Sequence, residues 1–126
     1  MHEAPILVID DDQAIRETVS EILSFEGYPV VTAANGADGL RYTEQSQPAL
    51  ILLDMRMPVM DGWAFTYELR ARGAMPPIVV MTAAQDARRW AKEIGATGHL
   101  AKPFELHDLL DVVARIYGPP EGLRES

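Results

Sequence analysis

The sequence predicts an α/β fold: a doubly wound, five-stranded parallel sheet with five helices. Three observations predict it. Short apolar runs bounded by turn residues alternate along the chain with stretches whose apolar residues recur at helical spacing. Two of the runs, "ALILLD" and "PIVVMT", are continuously apolar rather than alternating, as expected of parallel strands covered by helices on both faces. Finally, 126 residues with 48% hydrophobic and 24% charged composition suffice for one domain with one core.

The elements follow in order. "PILVI" (Pro5 to Ile9) is rich in branched residues and reads as the first strand. Ile15, Val19, Ile22 and Leu23 then mark a helix with Asp12 as its N-cap. Gly27 ends that helix, and "YPVVTA" (Tyr28 to Ala33) reads as a second strand, placed near a sheet edge by Pro29. Asn35 and Gly36 turn the chain into a short helix around Leu40. Ala49 to Asp54 and Pro77 to Thr82 are the central strands. Between them lies a helix started near Asp61 and marked by Phe65 and Leu69. Ala87, Trp90, Ala91 and Ile94 give the next helix, "GHLA" (Gly98 to Ala101) a weak last strand, and Leu106, Leu109, Leu110, Val113 and Ile116 the final helix. "GPPEG" stops it, so residues 1–118 form the domain and 119–126 a tail or the start of a linker.

Such a sheet binds ligands outside the carboxyl ends of its strands. Asp10 and Asp11 follow the first strand, Asp54 closes the third, Thr82 closes the fourth and Lys102 follows the fifth, so all five side chains are expected at one edge. Carboxylates gathered in this way repel one another unless a cation joins them, and hard oxygen ligands suit Mg2+. Lys102 adds a fixed positive charge and Thr82 a hydroxyl donor, which together describe a phosphoryl site. The sequence offers no oriented base and no glycine-rich phosphate loop. The nucleophile left is a carboxylate, and Asp54 is the central one; its attack on a phosphoryl donor would give an aspartyl phosphate.

Composition limits the setting. Nineteen acidic against eleven basic residues give a net charge of -8, which repels phosphate backbones and anionic membranes, so direct nucleic acid binding by this chain is not expected. Cysteine is absent, which removes disulfides and thiolate chemistry. The opening "MHEAPILVIDDD" is too short in apolar residues for a signal peptide or membrane span, and a cytoplasmic location is expected.

With "ILVIDDD", "LLDMRMPVMDG", "MTA" and "KPF" in register from residue 5 to about 117, the chain resembles the receiver domains of bacterial two-component response regulators. The resemblance implies the flavodoxin-like strand order 2-1-3-4-5 and a phosphorylation switch rather than a turnover enzyme. Asp54 would accept a phosphoryl group from the phosphohistidine of a sensor histidine kinase or phosphotransfer protein. Asp11, Asp54 and the Arg56 backbone carbonyl would bind Mg2+ directly, and Asp10 largely through water. Lys102 would pair with Asp54 or its phosphate, and the Lys102–Pro103 bond would be cis. Thr82 would move toward the phosphate, with His99 at the switch position where tyrosine or phenylalanine is usual, changing the face of the fourth helix, fifth strand and fifth helix. Arg56 and Ala84 would flank the approach of water. An output domain or protein, and a phosphorylation-dependent homodimer, are the further partners it implies.

Plainer readings stand beside these. Asp12 and Asp61 serve as helix caps, and Met55, Met57 and Met60 as packing and loop anchors, because no histidine or cysteine accompanies them as a soft-metal ligand. His2 and His107 have no ligating partner, and Trp90 at helical spacing reads as core, although "RRW" could belong to a partner surface. His99 could also stay exposed and take no part in switching. A haloacid-dehalogenase-like phosphatase would explain Asp10 and Asp12 but gives Asp54 no role and needs acidic residues where Pro103 and Phe104 stand. A flavodoxin-like electron carrier would need hydroxyls and glycines, not three aspartates, after the first strand.

Overall fold

The computed structural model describes residues 4–73 and 75–120. Its elements are β1 (Ile6–Ile9), α1 (Gln13–Phe25), β2 (Val30–Ala33), α2 (Gly36–Gln45), β3 (Leu50–Asp54), α3 (Gly62–Ala71), β4 (Ile78–Ala83), α4 (Ala84–Glu93), β5 (Gly98–Lys102) and α5 (Leu106–Ile116). All strand pairs are parallel and the sheet order is β2-β1-β3-β4-β5.

The continuously apolar strands bury both faces. Along β1, Ile6 and Val8 enter one cluster with Val19 and Leu23 of α1 and Leu109, Val112 and Val113 of α5. Leu7 and Ile9 point the other way, toward Leu40 of α2, Phe65 and Leu69 of α3 and Trp90 of α4. The two-residue alternation of side chains therefore feeds two layers, with α1 and α5 on one side and α2, α3 and α4 on the other.

Helix starts follow their caps. The Asp12 carboxylate accepts from the backbone N–H of Ala14 (2.9 Å) and Ile15 (3.3 Å), Asn35 from Asp38 (2.9 Å), and Asp61 from Ala64 (2.9 Å). α4 has no side-chain cap. Its start is fixed by the strand that leads straight into it.

The second strand is shorter than the sequence predicts. Gly27 adopts φ +100° and the Tyr28 N–H donates back to the Leu23 carbonyl (3.0 Å), so Tyr28 completes the end of α1 instead of joining the sheet. Pro29 offers the ladder only its carbonyl, which accepts from the Ile6 N–H at 2.8 Å, and β2 is an edge strand. At the other end Tyr28 Oη donates to the Gly118 carbonyl (2.9 Å), and Pro120 is buried. His2 and residues 121–126 of the expected tail lie outside the described residues.

Candidate functional site

The chain runs from β1 out to β2 and then returns to place β3 on the other side of β1. That reversal opens a crevice at the carboxyl ends of β1 and β3, the position at which open α/β sheets bind ligands. Asp10 leaves β1 on one side of the crevice and Asp54 ends β3 on the other. Carboxylate oxygens of Asp10, Asp11 and Asp54 lie within 4.8 Å of one another. Thr82, near the end of β4, and Lys102, the last residue of β5, stand at the same edge, and both Asp10 and Thr82 are buried.

The three carboxylates are not equivalent. Asp10 is fully buried, and both its oxygens are engaged: Oδ1 accepts from the Asp12 N–H (2.9 Å) and Oδ2 from Lys102 Nζ (2.7 Å). Asp11 is exposed. Asp54 is buried, with Lys102 Nζ at 3.7 Å. Burial and the neighbouring Asp10 charge push its carboxyl up to about 7, against the opposing pull of Lys102 and a hydrogen bond from the Arg56 backbone N–H. Lys102, expected to pair with Asp54 or its phosphate, thus stands farther from Asp54 than from Asp10. In this state its short bond goes to Asp10, the more deeply buried anion, whose desolvation needs the closest counter-charge.

Local sequence explains how the loops hold this edge. Arg16, one turn into α1, donates to the Asp10 carbonyl at 2.8 Å and fixes the β1–α1 turn. In the β3–α3 loop Met55 is fully buried, and its carbonyl accepts from the Gly62 N–H at 2.9 Å. Gly62 is required there: a Cβ would stand 2.4 Å from Met55 Sδ and 2.8 Å from Met55 Cα. Met57 and Met60 pack against the core, and the Met60 carbonyl accepts from the Gly36 N–H at 3.1 Å. The methionines therefore anchor the loop. The Lys102–Pro103 peptide bond is cis.

His99 lies exposed on β5, in a groove shared with Asp108, Asp111 and Arg115 of α5. Trp90 is buried, while Arg88 and Arg89 of the "RRW" segment are exposed. Two contacts have no local sequence signal: the Arg16 bond to Asp10, and the Arg56 guanidinium resting 5.2 Å from the Trp90 ring centroid. Val59 in the same loop adopts φ +72° and is exposed, which nothing in "MPVMDG" announces for a branched residue.

An all-oxygen donor set of three close carboxylates fits a hard divalent cation such as Mg2+. Among the described residues no helix is long and apolar enough to cross a membrane.

Comparison with known proteins gives one consistent result. The family model of the response regulator receiver domain matches residues 6–114. The sporulation initiation phosphotransferase F of Bacillus subtilis is 35% identical over 117 residues, covering 91% of this chain and 94% of that protein. A response regulator named MprA from Mycobacterium sp. (strain KMS) is 38% identical over 122 residues, 93% of this chain but 53% of that protein, so the chain spans about half the length of such relatives. Among solved structures, the chemotaxis protein CheY4 of Vibrio cholerae superposes with a TM-score of 0.82 at 34% identity, over 91% of this chain and 99% of that one.

Proposed function

The chain belongs to the response regulator receiver domain family, and from that premise we propose that Asp54 is the phosphoacceptor of a magnesium-dependent signalling switch. The observation that carries the reading is the convergence of Asp10, Asp11 and Asp54 at the crevice with Lys102 Nζ 3.7 Å from Asp54. A carboxylate nucleophile beside fixed positive charge is what phosphoryl transfer needs, since catalysis there is chiefly positioning and charge neutralisation.

The donor is the phosphohistidine of a sensor kinase or phosphotransfer protein. An Asp54 carboxylate oxygen attacks phosphorus, the P–N bond breaks, and its electron pair returns to the imidazole. An acyl phosphate remains on Asp54. Asp54 must be ionised to attack, and its carboxyl sits near 7 in the metal-free protein, so a cation in the cluster raises the reactive fraction at neutral pH. Mg2+, held by Asp11, Asp54 and the Arg56 carbonyl with Asp10 acting through water, would supply that cation and neutralise charge on the phosphoryl oxygens. Lys102 exchanges its partnership with Asp10 for the incoming phosphoryl group, and the Thr82 hydroxyl donates to a phosphoryl oxygen. The new charge of about -2 is read out through Thr82 and His99 on the α4, β5 and α5 face, by an output domain or partner or by a second copy of the chain. Residues 1–118 are the receiver unit in this reading and 119–126 its tail.

Intact mass after incubation with acetyl phosphate and Mg2+ tests it. One phosphoryl group, labile to hydroxylamine and absent from Asp54→Asn, is the expected result. Full labelling of Asp54→Asn would overturn the assignment.

A further inference from the structure

The β3–α3 loop and α4 meet in a cluster built around Trp90. Trp90 is buried, and Trp63 from the first turn of α3 meets its ring edge-on, with centroids 4.8 Å apart and planes at 69°. The Trp63 indole N–H donates to Glu93 Oε1 at 3.1 Å, tying α3 to the end of α4. Two guanidinium groups lie near the Trp90 ring, Arg56 at 5.2 Å and Arg89 at 5.8 Å from its centroid. Arg89 is engaged by Asp86 at 2.6 Å. Arg56 is exposed and, among the described residues, has no carboxylate within ion-pair distance.

Arg56 is also hinged at the phosphoacceptor. It follows Asp54 by two positions, at the start of the β3–α3 loop. The charged end of a long side chain rooted at the site thus rests on the helix across the loop. A cation on an aromatic face makes no hydrogen bond there, whereas a phosphoryl dianion offers charge-assisted hydrogen bonds that are stronger and fit a guanidinium fork.

We propose that Arg56 is a latch with two positions, one on Trp90 and one on the phosphoryl group of Asp54, and that Trp90 is the positioning residue that holds it off the phosphoryl group. The proposal rests on the phosphoacceptor reading above. With Arg56 on the ring, the approach of water to the acyl phosphate stays open. With Arg56 on the phosphoryl oxygens, that approach is covered, and the Trp90 ring loses the guanidinium that links α4 to the β3–α3 loop. The lifetime of the mark and the attachment of α4 are set by the same competition.

The test follows phosphoprotein decay by intact mass after loading with acetyl phosphate and Mg2+ and removing the donor. Phenylalanine holds a cation less tightly than tryptophan, so Trp90→Phe should decay about two- to three-fold more slowly than wild type. Arg56→Ala should decay faster than wild type, and the double variant should match Arg56→Ala alone, because the ring acts only through the guanidinium. A second readout does not depend on the fold of the Trp90 variant. The chain has two tryptophans, so Trp63→Phe leaves Trp90 as the sole emitter. Beryllofluoride with Mg2+ should shift its emission, and adding Arg56→Ala should abolish the shift. Label on wild type with equal decay in Trp90→Phe, or a shift that survives Arg56→Ala, overturns the latch alone. No label on wild type overturns the latch and the phosphoacceptor reading together.

Discussion

Replacing Asp54 by asparagine should stabilise the metal-free protein, and the gain should grow with pH. Asp54 is raised from 3.8 to about 7 by burial and by Asp10. A carboxyl whose folded-state pKa is raised favours folding fully below the unfolded value, near 3.8; that contribution is lost as pH rises and is gone above about 7. About three units at about 1.4 kcal/mol each set a ceiling of about 4 kcal/mol, and solvent at the crevice mouth lowers the expected figure to about 2 kcal/mol between pH 5 and pH 8. Asparagine keeps the shape without the charge. Any fixed difference in packing or hydrogen bonding between the side chains is independent of pH, so the slope isolates ionisation. Urea unfolding of both proteins in EDTA, followed by circular dichroism from pH 5 to pH 8.5, measures it. Two stability curves that run parallel would refute the argument, because they would mean that Asp54 is ionised at no cost in the fold. Saturating Mg2+ should close much of the gap at pH 8, since it stabilises only the ionised cluster.

Asp11→Ala should weaken Mg2+ binding at least tenfold, roughly the loss of one direct carboxylate ligand, and an unchanged calorimetric titration would remove Asp11 from the metal set. Gly62→Ala should lower stability by about 2 kcal/mol, because the new methyl meets the Met55 backbone and sulfur with no room to relax; unfolding in urea reads this directly. Val59→Gly should raise stability by about 1 kcal/mol, since a branched residue at φ +72° is strained and its exposed side chain contributes little burial. A neutral or destabilising result would show that the loop holds Val59 by contacts outweighing the strain.

The sheet was readable because its central strands are sealed on both sides, which leaves them no polar positions and makes Ile51–Leu53 and Ile78–Met81 unbroken apolar runs. The candidate site was readable because parallel strands deliver their last residues to one edge, so the types at positions 10, 11, 54, 82 and 102 could be combined before any contact was known. Caps at Asp12 and Asp61 are local and equally legible. What escaped depends on packing between segments distant in sequence. The helical spacing of Trp90 says that it faces the sheet, but not that Arg56 will cover its ring. Nor does a lone Arg16 on an amphipathic helix reveal that it will bond the Asp10 carbonyl. The end of α1 took Tyr28 from β2 because a glycine at positive φ allowed the chain to fold back on the helix, and strand propensity could not oppose that.

Three carboxylates meet at the crevice, and under the proposed chemistry their environments favour one of them as nucleophile. Asp10 has the deepest burial, yet its oxygens already accept from the Asp12 N–H and from Lys102, so attack would require breaking a short ion pair in a dry site. Asp11 is exposed and hydrated, which makes it a suitable metal ligand but leaves a shell of water to be stripped from any attacking oxygen. Asp54 lies between these limits. It is buried, and Lys102 stands 3.7 Å from it with its short bond on Asp10, so the lysine is close enough to meet an incoming phosphoryl group without tying up the nucleophile. In the proposed chemistry the long Lys102–Asp54 separation leaves the lysine free to meet the incoming phosphoryl oxygens, so that its charge acts on the group being transferred.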